Sequence, residues 1–404
     1  MTEKLKSRNF PNLRFPGFEK EWNTRSLGEC SEFLDYGMNA SAIKFDGENR
    51  YIRITDIDES SSKYKPEFPV SPAGNLTDKY LVRENDVLFA RTGASTGKSY
   101  LYNLDDGKLY FAGFLIRARI KKVFNPYFIF IQTQTEKYKR WVKLMSMRSG
   151  QPGINSQEYA SYCFEAPNRT EQDKISTFLS DIDSRIHTQK KIIDDLKLLC
   201  KGVMYKLFTQ KLRLKNEQKV DFSKWKIKFG NEIFESVTNK NHNSDLPILA
   251  ITQEYGAVPR DLIDYKISVT DKSVESYKIV EIGDFIISLR SFQGGIEYSN
   301  YKGICSPAYI ILKNKIPINS QFYKYFLKSE SYIKLLNKKL EGIRDGKMIS
   351  YSYFSEIELP FPSLEEQNKI ANFLLSIYEK IETEKKILDQ YEFQKKYLLA
   401  NLFV

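Results

Sequence analysis

The sequence predicts an α/β protein of the α+β type, in which two similar mixed α/β domains are separated by two long antiparallel coiled-coil helices. Three observations support this prediction: the chain has 404 residues, one segment recurs after 195 residues, and that segment carries apolar residues at heptad spacing. Single hydrophobic cores stop growing below this length, so at least two domains are expected. A pseudo-twofold internal repeat would relate the two halves.

The recurring segment begins at Pro167 and again at Pro362, an offset of 362 − 167 = 195 residues that holds without a gap to the last residues. The identical pairs include Glu171/Glu366, Gln172/Gln367, Lys174/Lys369, Ile175/Ile370 and Phe178/Phe373. Weaker matches lie upstream, where Trp22 parallels Trp225. The chain therefore consists of two copies of one unit, each a variable globular part followed by a more strictly repeated helix.

Each recurring segment has the features of a long helix. Asn168 and Ser363 are candidate N-caps, and acidic residues fill the first turn. The apolar residues that follow at alternating steps of three and four are Ile175, Leu179, Ile182, Ile186 and Ile193 in the first copy and Ile370, Leu374, Ile377, Ile381 and Leu388 in the second. This is the seam of a coiled coil. A narrow apolar stripe on a helix about 60 Å long needs a partner, and the other copy is the obvious one.

The predicted division of the chain has four parts. Residues 1–166 form the first globular domain, with an N-terminal arm at 1–20, and residues 167–215 form the first spacer helix. Residues 216–361 form the second globular domain and residues 362–404 the second spacer helix. Short strand-like runs between turns and later helix-like segments predict mixed α/β content in both globular domains.

Composition favours a polyanionic partner and gives little support for catalysis. The net charge is +11 and the isoelectric point is near 9.1. The four cysteines are far apart and there are two histidines, so we expect no metal site and no disulfide framework. No apolar run is long enough to cross a membrane and no signal peptide is evident, so a cytoplasmic location is expected.

Two motifs suggest enzymes but depart from the required patterns. Gly93–Ser99 resembles a phosphate-binding P-loop, but the position that should open the motif is Thr92. Asn125-Pro126-Tyr127-Phe128 resembles the N-P-P-[YF] motif of adenine methyltransferases, but its second proline is absent. Pro126 suits the first turn of a helix instead. We therefore expect no catalytic residue in this chain.

The candidate DNA-binding residues lie in polar and basic loops at the predicted ends of strands. Arginine and glutamine suit bidentate contacts with base edges, whereas lysine and hydroxyl groups suit phosphates. The candidates are Arg53, Arg91, Thr92, Lys98, Arg148 and Gln151 in the first copy and Gln253, Arg290, Gln293, Arg344 and Lys347 in the second. Any one of these loops alone could be ordinary solvated surface, but their recurrence in both copies favours a binding role.

Taken together, these features resemble the specificity (S) subunit, or HsdS, family of Type I restriction-modification systems. The resemblance rests on the two-copy layout, the P-x-x-x-E-Q-x-K-I helix starts at Pro167 and Pro362, the strand-then-arginine segments ending at Arg91 and Arg290, and the opening Leu13–Phe18 followed by Trp22. It implies two target-recognition domains, each of which reads one half of a split, asymmetric site in double-stranded DNA. It also implies helices that act as spacer and as the docking surface for two modification subunits.

In such a system the chemistry belongs to other chains. The resemblance implies that modification (methyltransferase) subunits bind S-adenosylmethionine and methylate adenine, and that restriction (motor-nuclease) subunits use ATP; these cofactors and magnesium are expected only in the partners. Two alternatives remain open from the residues alone: a coiled-coil scaffold without a nucleic-acid role, and a stand-alone DNA-modifying enzyme or NTPase. The basic surplus and the paired arginine loops favour DNA recognition over the scaffold.

Overall fold

The computed structural model describes residues 9–147, 152–242, 245–263, 274–338 and 349–404. By contacts, the chain divides into two compact units: Met1–Gln189 with Ile387–Val404, and Lys190–Lys386. Each unit contains one globular domain together with a part of each long helix. The sequence-based boundaries at residues 166 and 361 lie within three residues of the starts of the long helices, at Arg169 and Leu364. The first long helix ends at Phe208, earlier than the predicted boundary at 215, and Lys215 forms a β-bridge with Asp221 instead. The four-part division into domains and spacers stays a prediction.

The first unit is built around a four-stranded antiparallel sheet. The order in this sheet is β2 (Ser31–Tyr36), β9 (Leu115–Ile120), β6 (Asp86–Ala90) and β7 (Ser99–Leu101). The smaller pairs are β1 (Asn23–Ser26) with β10 (Cys163–Ala166), β3 (Ala42–Lys44) with β5 (Val70–Pro72), and β4 (Arg50–Ile52) with β8 (Leu109–Phe111). The β4–β8 pair is parallel and the other two are antiparallel.

The central strand β6 is buried on both faces, which explains its unbroken apolar sequence Val87–Ala90. Val87 and Phe89 contribute to one hydrophobic cluster, whereas Leu88 and Ala90 contribute to another. This division follows from the alternation of side chains along a strand. The sheet therefore separates two cores, and the loops that leave β6 start from a rigid position.

The helices of the first unit are α1 (Leu27–Cys30), α2 (Pro126–Gln132), α3 (Glu136–Met145), α4 (Ser156–Ala160) and the first half of α5 (Arg169–Phe208). Pro126 stands in the first turn of α2, and the Asn125 side chain accepts a hydrogen bond from the Phe128 backbone N–H at 3.0 Å. The structure thus confirms that the Asn125-Pro126 pair starts a helix.

The second unit repeats this plan with different side chains. Its four-stranded sheet has the order β12 (Phe234–Val237), β19 (Ile310–Asn314), β16 (Phe285–Ile287) and β17 (Glu297–Tyr298). The other strand pairs are β11 (Lys226–Phe229) with β20 (Glu358–Phe361), β13 (Leu249–Thr252) with β14 (Gly256–Pro259), and β15 (Lys278–Val280) with β18 (Gly303–Cys305). The helices are α6 (Gly230–Ile233), α7 (Ser291–Gly294), α8 (Ser320–Phe326), α9 (Glu330–Lys338), α10 (Tyr351–Ser355) and most of α11 (Leu364–Asn401).

The same aromatic contact recurs in both units. In the first, the ring of Trp22 lies 6.0 Å from that of Phe128, between centroids. In the second, Trp225 lies 6.0 Å from Phe322, which also packs against Phe208. The equal strand order and the repeated aromatic contact confirm a mixed α/β fold with an internal repeat.

The long helices α5 and α11 have 40 and 38 residues. Most of the residues at heptad spacing are buried, namely Ile175, Leu179, Ile182, Ile193, Ile370, Leu374 and Ile381, whereas Ile186, Ile377 and Leu388 are partly buried. Hydrophobic clusters in each unit combine residues of α5 with residues of α11. The apolar stripes are therefore packing surfaces; their role as spacer and docking surface stays a prediction.

Contacts within each unit show that its two helical parts run antiparallel. In the first unit, Asp183 of α5 pairs with Lys395 of α11 at 2.6 Å, and Trp22 links the earlier Glu171 to the later Phe403. In the second unit, the Tyr378 hydroxyl donates to the sulfur of Met204 at 3.7 Å. There the later Arg213, just past the end of α5, reaches the earlier Glu366 of α11.

Candidate nucleic-acid interface

The first-copy candidates Arg91 and Thr92 lie where β6 ends, against a second segment. Thr92 forms a β-bridge with Gly153, and the Gly93 backbone N–H donates to the Pro152 carbonyl at 2.9 Å. Arg148 and Gln151, which directly precede this segment in the sequence, lie outside the described residues. The fold thus brings residues 91–93 next to residues 152–153.

Arg91 is partly buried and held by several contacts. Its Nε donates to the Gly113 carbonyl at 3.0 Å, and its guanidinium carbon lies 5.1 Å from the centroid of the Tyr36 ring. Its backbone N–H donates to the Phe114 carbonyl at 3.0 Å. Cation–π and hydrogen-bond contacts of this kind restrict the rotamers of a long side chain.

Three backbone N–H groups of the Gly93–Ser99 loop donate to nearby backbone carbonyls. The backbone N–H groups of Thr96, Gly97 and Lys98 donate to the carbonyls of Gly93, Ala90 and Ser95 at 3.0–3.1 Å. A P-loop needs such amides to face the phosphates, so this geometry does not suit nucleotide binding. The Lys98 ammonium instead lies 3.3 Å from the Glu59 carboxylate.

Arg53 has a structural partner three residues away. Its Nε and one terminal nitrogen each lie 2.8 Å from a carboxylate oxygen of Asp56, which is buried. The hydrogen bond to this carboxylate raises the pKa of Arg53, and the Coulombic attraction adds to it. A base-reading role for Arg53 stays a prediction, and it would have to compete with this bidentate pair.

The second-copy candidates Gln253 and Arg290 are in direct contact. The Gln253 side-chain amide donates to the Arg290 carbonyl at 3.2 Å. A Cβ added to Gly294 would fall 2.6 Å from Cδ of Gln253, so a larger residue at position 294 would displace the Gln253 side chain from this position. Arg290 and Gln293 are exposed. Two remaining candidates, Arg344 and Lys347, lie outside the described residues.

Lys328 is a residue of this loop cluster that the sequence did not single out. Its ammonium lies 2.7 Å from Glu297 and donates to the Gln253 carbonyl at 3.1 Å. Burial raises the pKa of Glu297, although the charge and hydrogen bond of Lys328 oppose that effect. No spacing pattern connects residues 253, 297 and 328, so this contact could not be predicted from the sequence.

The two prominent arginines do not occupy equivalent sheet positions. Arg91 follows Asp86 by 91 − 86 = 5 residues, whereas Arg290 follows Asp284 by 290 − 284 = 6. Strand pairing aligns Val87 with Ala118 in one sheet and Phe285 with Leu312 in the other. The strands therefore pair in the same way in both copies, but Arg290 lies one residue further along the chain from its sheet than Arg91 does.

The repeated E-Q helix start anchors each globular domain to its helix. The Gln172 side chain accepts from the Asn125 backbone N–H at 2.9 Å and donates to the Pro167 carbonyl at 2.9 Å. In the second copy, Gln367 makes the same two hydrogen bonds with Asn319 and Pro362, at 2.9 and 3.0 Å. This shared pair of hydrogen bonds explains why both copies have glutamine at this position.

The buried glutamates of the same motif bind one arginine from the N-terminal arm and one from the segment that follows α5. Arg14 makes a bidentate pair with Glu171 at 2.8 and 2.9 Å, and the Trp22 indole N–H donates to the same carboxylate. Arg213 reaches Glu366 at 3.3 Å. We call these two groups the glutamate anchors. A Leu-Arg pair upstream of each tryptophan was the sequence signal that could have identified them.

The described residues contain no cluster of three His, Cys, Asp or Glu side chains that could hold a metal ion. Burial raises the pKa of Cys30 and of Cys305 to about 12, so both remain thiols at neutral pH. Within the same residues, no helix has the length and apolar character that would span a membrane.

The repeated α/β domain, with polar and basic loops at corresponding sheet edges, defines a tandem-domain protein with candidate binding loops in both copies. Residues 19–198 and 222–392 each match the family model of the Type I restriction modification DNA specificity domain. These matches cover most of the chain. The chain therefore belongs to the specificity-subunit (HsdS) family of Type I restriction-modification systems.

Two curated relatives agree with this assignment. The chain is 27% identical over 425 residues to the putative type I restriction enzyme MjaX specificity subunit of Methanocaldococcus jannaschii, which covers 98% of this chain and 95% of that protein. It is 25% identical over 423 residues to the MjaVIII specificity subunit of the same organism, with the same coverage of 98% and 95%.

Two solved structures share the fold. The S subunit of a Type I restriction-modification system from M. genitalium superposes with a TM-score of 0.58 at 16% identity, covering 98% of this chain and 99% of that one. A chain from a study of complex assembly in the type I R-M system gives a TM-score of 0.55 at 17% identity, with 97% and 99% covered.

Proposed function

We propose that this chain is the DNA-recognition subunit of a Type I restriction-modification complex, and that each unit reads one half of a bipartite, asymmetric site. The observation that carries this proposal is that equivalent sheet edges present different side chains. The first copy presents Arg91 against Tyr36, whereas the second presents Gln253 with Arg290. Different side chains on similar frames suit two different half-sites, since arginine and glutamine favour different base edges.

In this proposal, residues 1–166 and 216–361 are the target-recognition domains, and residues 167–215 and 362–404 set the spacing between half-sites. The chain performs no chemistry itself and acts in the cytoplasm on double-stranded DNA. Modification subunits supply S-adenosylmethionine chemistry, and restriction subunits use ATP and magnesium. The net charge of +11 favours this polyanionic partner, because phosphate contacts supply much of the affinity of DNA-binding proteins.

The test of this function is a map of methylated adenines in cells that carry the whole system. With the wild-type chain we expect one bipartite, asymmetric motif. Arg91→Ala is expected to relax one base position in one half-site, and Arg290→Ala one position in the other, each by about 1–3 kcal/mol of discrimination. Loss of both half-sites from Arg91→Ala would contradict the assignment of one half-site to each unit.

The docking of two modification subunits has support in a repeated exposed side chain. Leu198 and Phe393 occupy the same repeat position, since 393 − 198 = 195, and they are 70% and 72% exposed on α5 and α11. Leu199 and Tyr397 extend these exposed apolar surfaces. An exposed apolar residue at the same repeat position of both helices suits two copies of one partner, because exposed apolar patches mark interaction sites.

Leu198→Asp and Phe393→Asp are each expected to weaken the binding of one modification subunit by at least about tenfold, because a charge would be buried in an apolar contact. Native mass spectrometry of the assembled complex would show a loss from two subunits to one. Thr188→Asp and Thr383→Asp are matched controls, since both threonines are exposed and occupy one repeat position. Equal loss from the control variants would contradict the assigned surface.

A further inference from the structure

The Tyr36 ring is fixed independently of Arg91. Its hydroxyl accepts from the Ser156 backbone N–H at 3.1 Å and forms a second hydrogen bond with the Ser156 side chain at 3.2 Å. Ser156 begins α4, so the ring is tied to a helix. Although partial burial opposes ionisation, the hydrogen bonds from Ser156 and the charge of Arg91 hold the pKa of Tyr36 below its ordinary value.

One of the three guanidinium nitrogens of Arg91 is hydrogen-bonded within the protein, and the other two can bind another molecule. Nε is bound to the Gly113 carbonyl at 3.0 Å. No carboxylate of the described residues forms an ion pair with Arg91. The two terminal nitrogens thus remain as a planar fork, and such a fork matches the O6 and N7 acceptors of guanine in the major groove.

Three other arginines of the first unit form ion pairs with carboxylates. Arg117 pairs with Asp35 at 2.7 Å, and Arg119 pairs with Asp86 at 2.8 Å. Arg53 makes its bidentate pair with Asp56. Within the described part of this sheet region, Arg91 thus differs by having an aromatic ring and a carbonyl as its partners rather than an acid.

We propose that Tyr36 is a positioning residue for Arg91, and that Arg91, held by the Tyr36 ring and the Gly113 carbonyl, reads a guanine in the first half-site. This inference rests on the proposed function in DNA recognition. The ring lies against the guanidinium, and the carbonyl occupies Nε, which leaves the two terminal nitrogens to bind the base. The Tyr36 ring therefore increases discrimination without touching the base.

The test selects preferred sites from random duplex DNA with the full chain in its complex with the modification subunit. The variants are Tyr36→Leu, which removes the ring, Tyr36→Phe, which keeps the ring and removes the hydroxyl, and Arg91→Ala. The matched control is Tyr301→Leu, because Tyr301 is 38% exposed and Tyr36 is 39% exposed. Thermal unfolding of each variant is followed alongside.

We expect Tyr36→Leu and Arg91→Ala to lose preference for guanine at the same base pair by roughly tenfold, with the second half-site unchanged. Tyr36→Phe keeps the ring for the cation–π contact but loses both hydrogen bonds to Ser156, so we expect a smaller loss than in Tyr36→Leu, of about threefold. Tyr301→Leu should leave the first half-site unchanged.

Three results would overturn the inference. One is a full guanine preference in Tyr36→Leu while Arg91→Ala loses it, and another is a full guanine preference in Arg91→Ala. A third is equal weakening of both half-sites by Tyr36→Leu together with a lowered melting temperature, which would show a structural role only. If the wild-type complex selected no sequence at all, the proposed function itself would fail, and that outcome is distinct from these three.

Discussion

Replacing Glu171 with alanine is expected to lower the free energy of unfolding of the first unit by about 3–5 kcal/mol, because a buried ion pair loses one partner. The Arg14 guanidinium would lose its bidentate acceptor and keep the Lys20 carbonyl, and the Trp22 indole N–H would lose its acceptor. The hydrogen bond to Glu171 raises the pKa of Arg14 above its ordinary value, although burial opposes this effect. Arg14 would remain charged without its carboxylate, because the guanidinium group keeps its proton at any pH at which proteins are folded.

Hydrogen exchange across residues 9–22 and 169–189 would measure this loss. Glu366→Ala is the matched variant in the second unit, where we expect a smaller effect. Arg213 reaches Glu366 at a longer 3.3 Å, and Arg213 Nε, Trp225 Nε1 and Glu366 Oε2 have no hydrogen-bond partner among the described residues. A first-unit loss below that of Glu366→Ala would contradict the importance of the bidentate pair.

One buried carboxylate position, Asp86 in the first copy and Asp284 in the second, has different partners in the two copies. Asp86 and Asp284 each accept a hydrogen bond from a backbone N–H three residues earlier, at 2.9 and 2.8 Å. Asp86 also pairs with Arg119 through two contacts of 2.8 Å. Asp284 lies near the charge of Lys313 without an ion pair in the described structure, and burial raises its pKa to about 6.

Asp86→Asn is therefore expected to destabilise the first unit by about 3–5 kcal/mol, because Arg119 loses its buried partner. Asp284→Asn is expected to stabilise the second unit at neutral pH, because asparagine can still accept from the Glu281 N–H without a buried charge. The same substitution should therefore have opposite signs in the two copies.

The effect of Asp284 should depend on pH. Its folded-state pKa of about 6 lies above the ordinary value of 3.8, so the folded state binds more protons between these values. Wild-type stability then falls as pH rises from about 4 to about 6, relative to Asp284→Asn. Denaturation at several pH values would show a difference near zero at pH 4 and a constant difference above pH 6. A difference that is independent of pH would contradict the buried carboxylate as its cause.

The long helices and the two-copy layout could be predicted from sequence because their signals are local or periodic. Heptad spacing identified the buried face that contains Leu179 and Leu374. The helix start at Asn125-Pro126 was likewise readable from adjacent residues.

The contacts within the candidate sites could not be predicted because they join distant segments. Arg14 and Glu171 are 157 residues apart, and Tyr36 and Ser156 are 120 apart. The one-residue difference in spacing between Arg91 and Arg290 can be counted in the sequence, but where it places each side chain depends on the strand register. Such register is set by pairing partners elsewhere in the chain. The arginines could therefore be identified from the sequence, but the residues that bind their side chains could not.

The chain segments that make up each unit affect the order in which the two units can fold during synthesis. The second unit is one continuous stretch, Lys190–Lys386, whereas the first needs residues 387–404. Leu398, Leu402 and Phe403 contribute to the core that contains Trp22. Until these residues have been synthesised, the first unit lacks part of the apolar surface that packs around Trp22, and uncovered apolar surface of this kind is prone to aggregation. The unit whose synthesis begins first is thus the unit whose core is completed last.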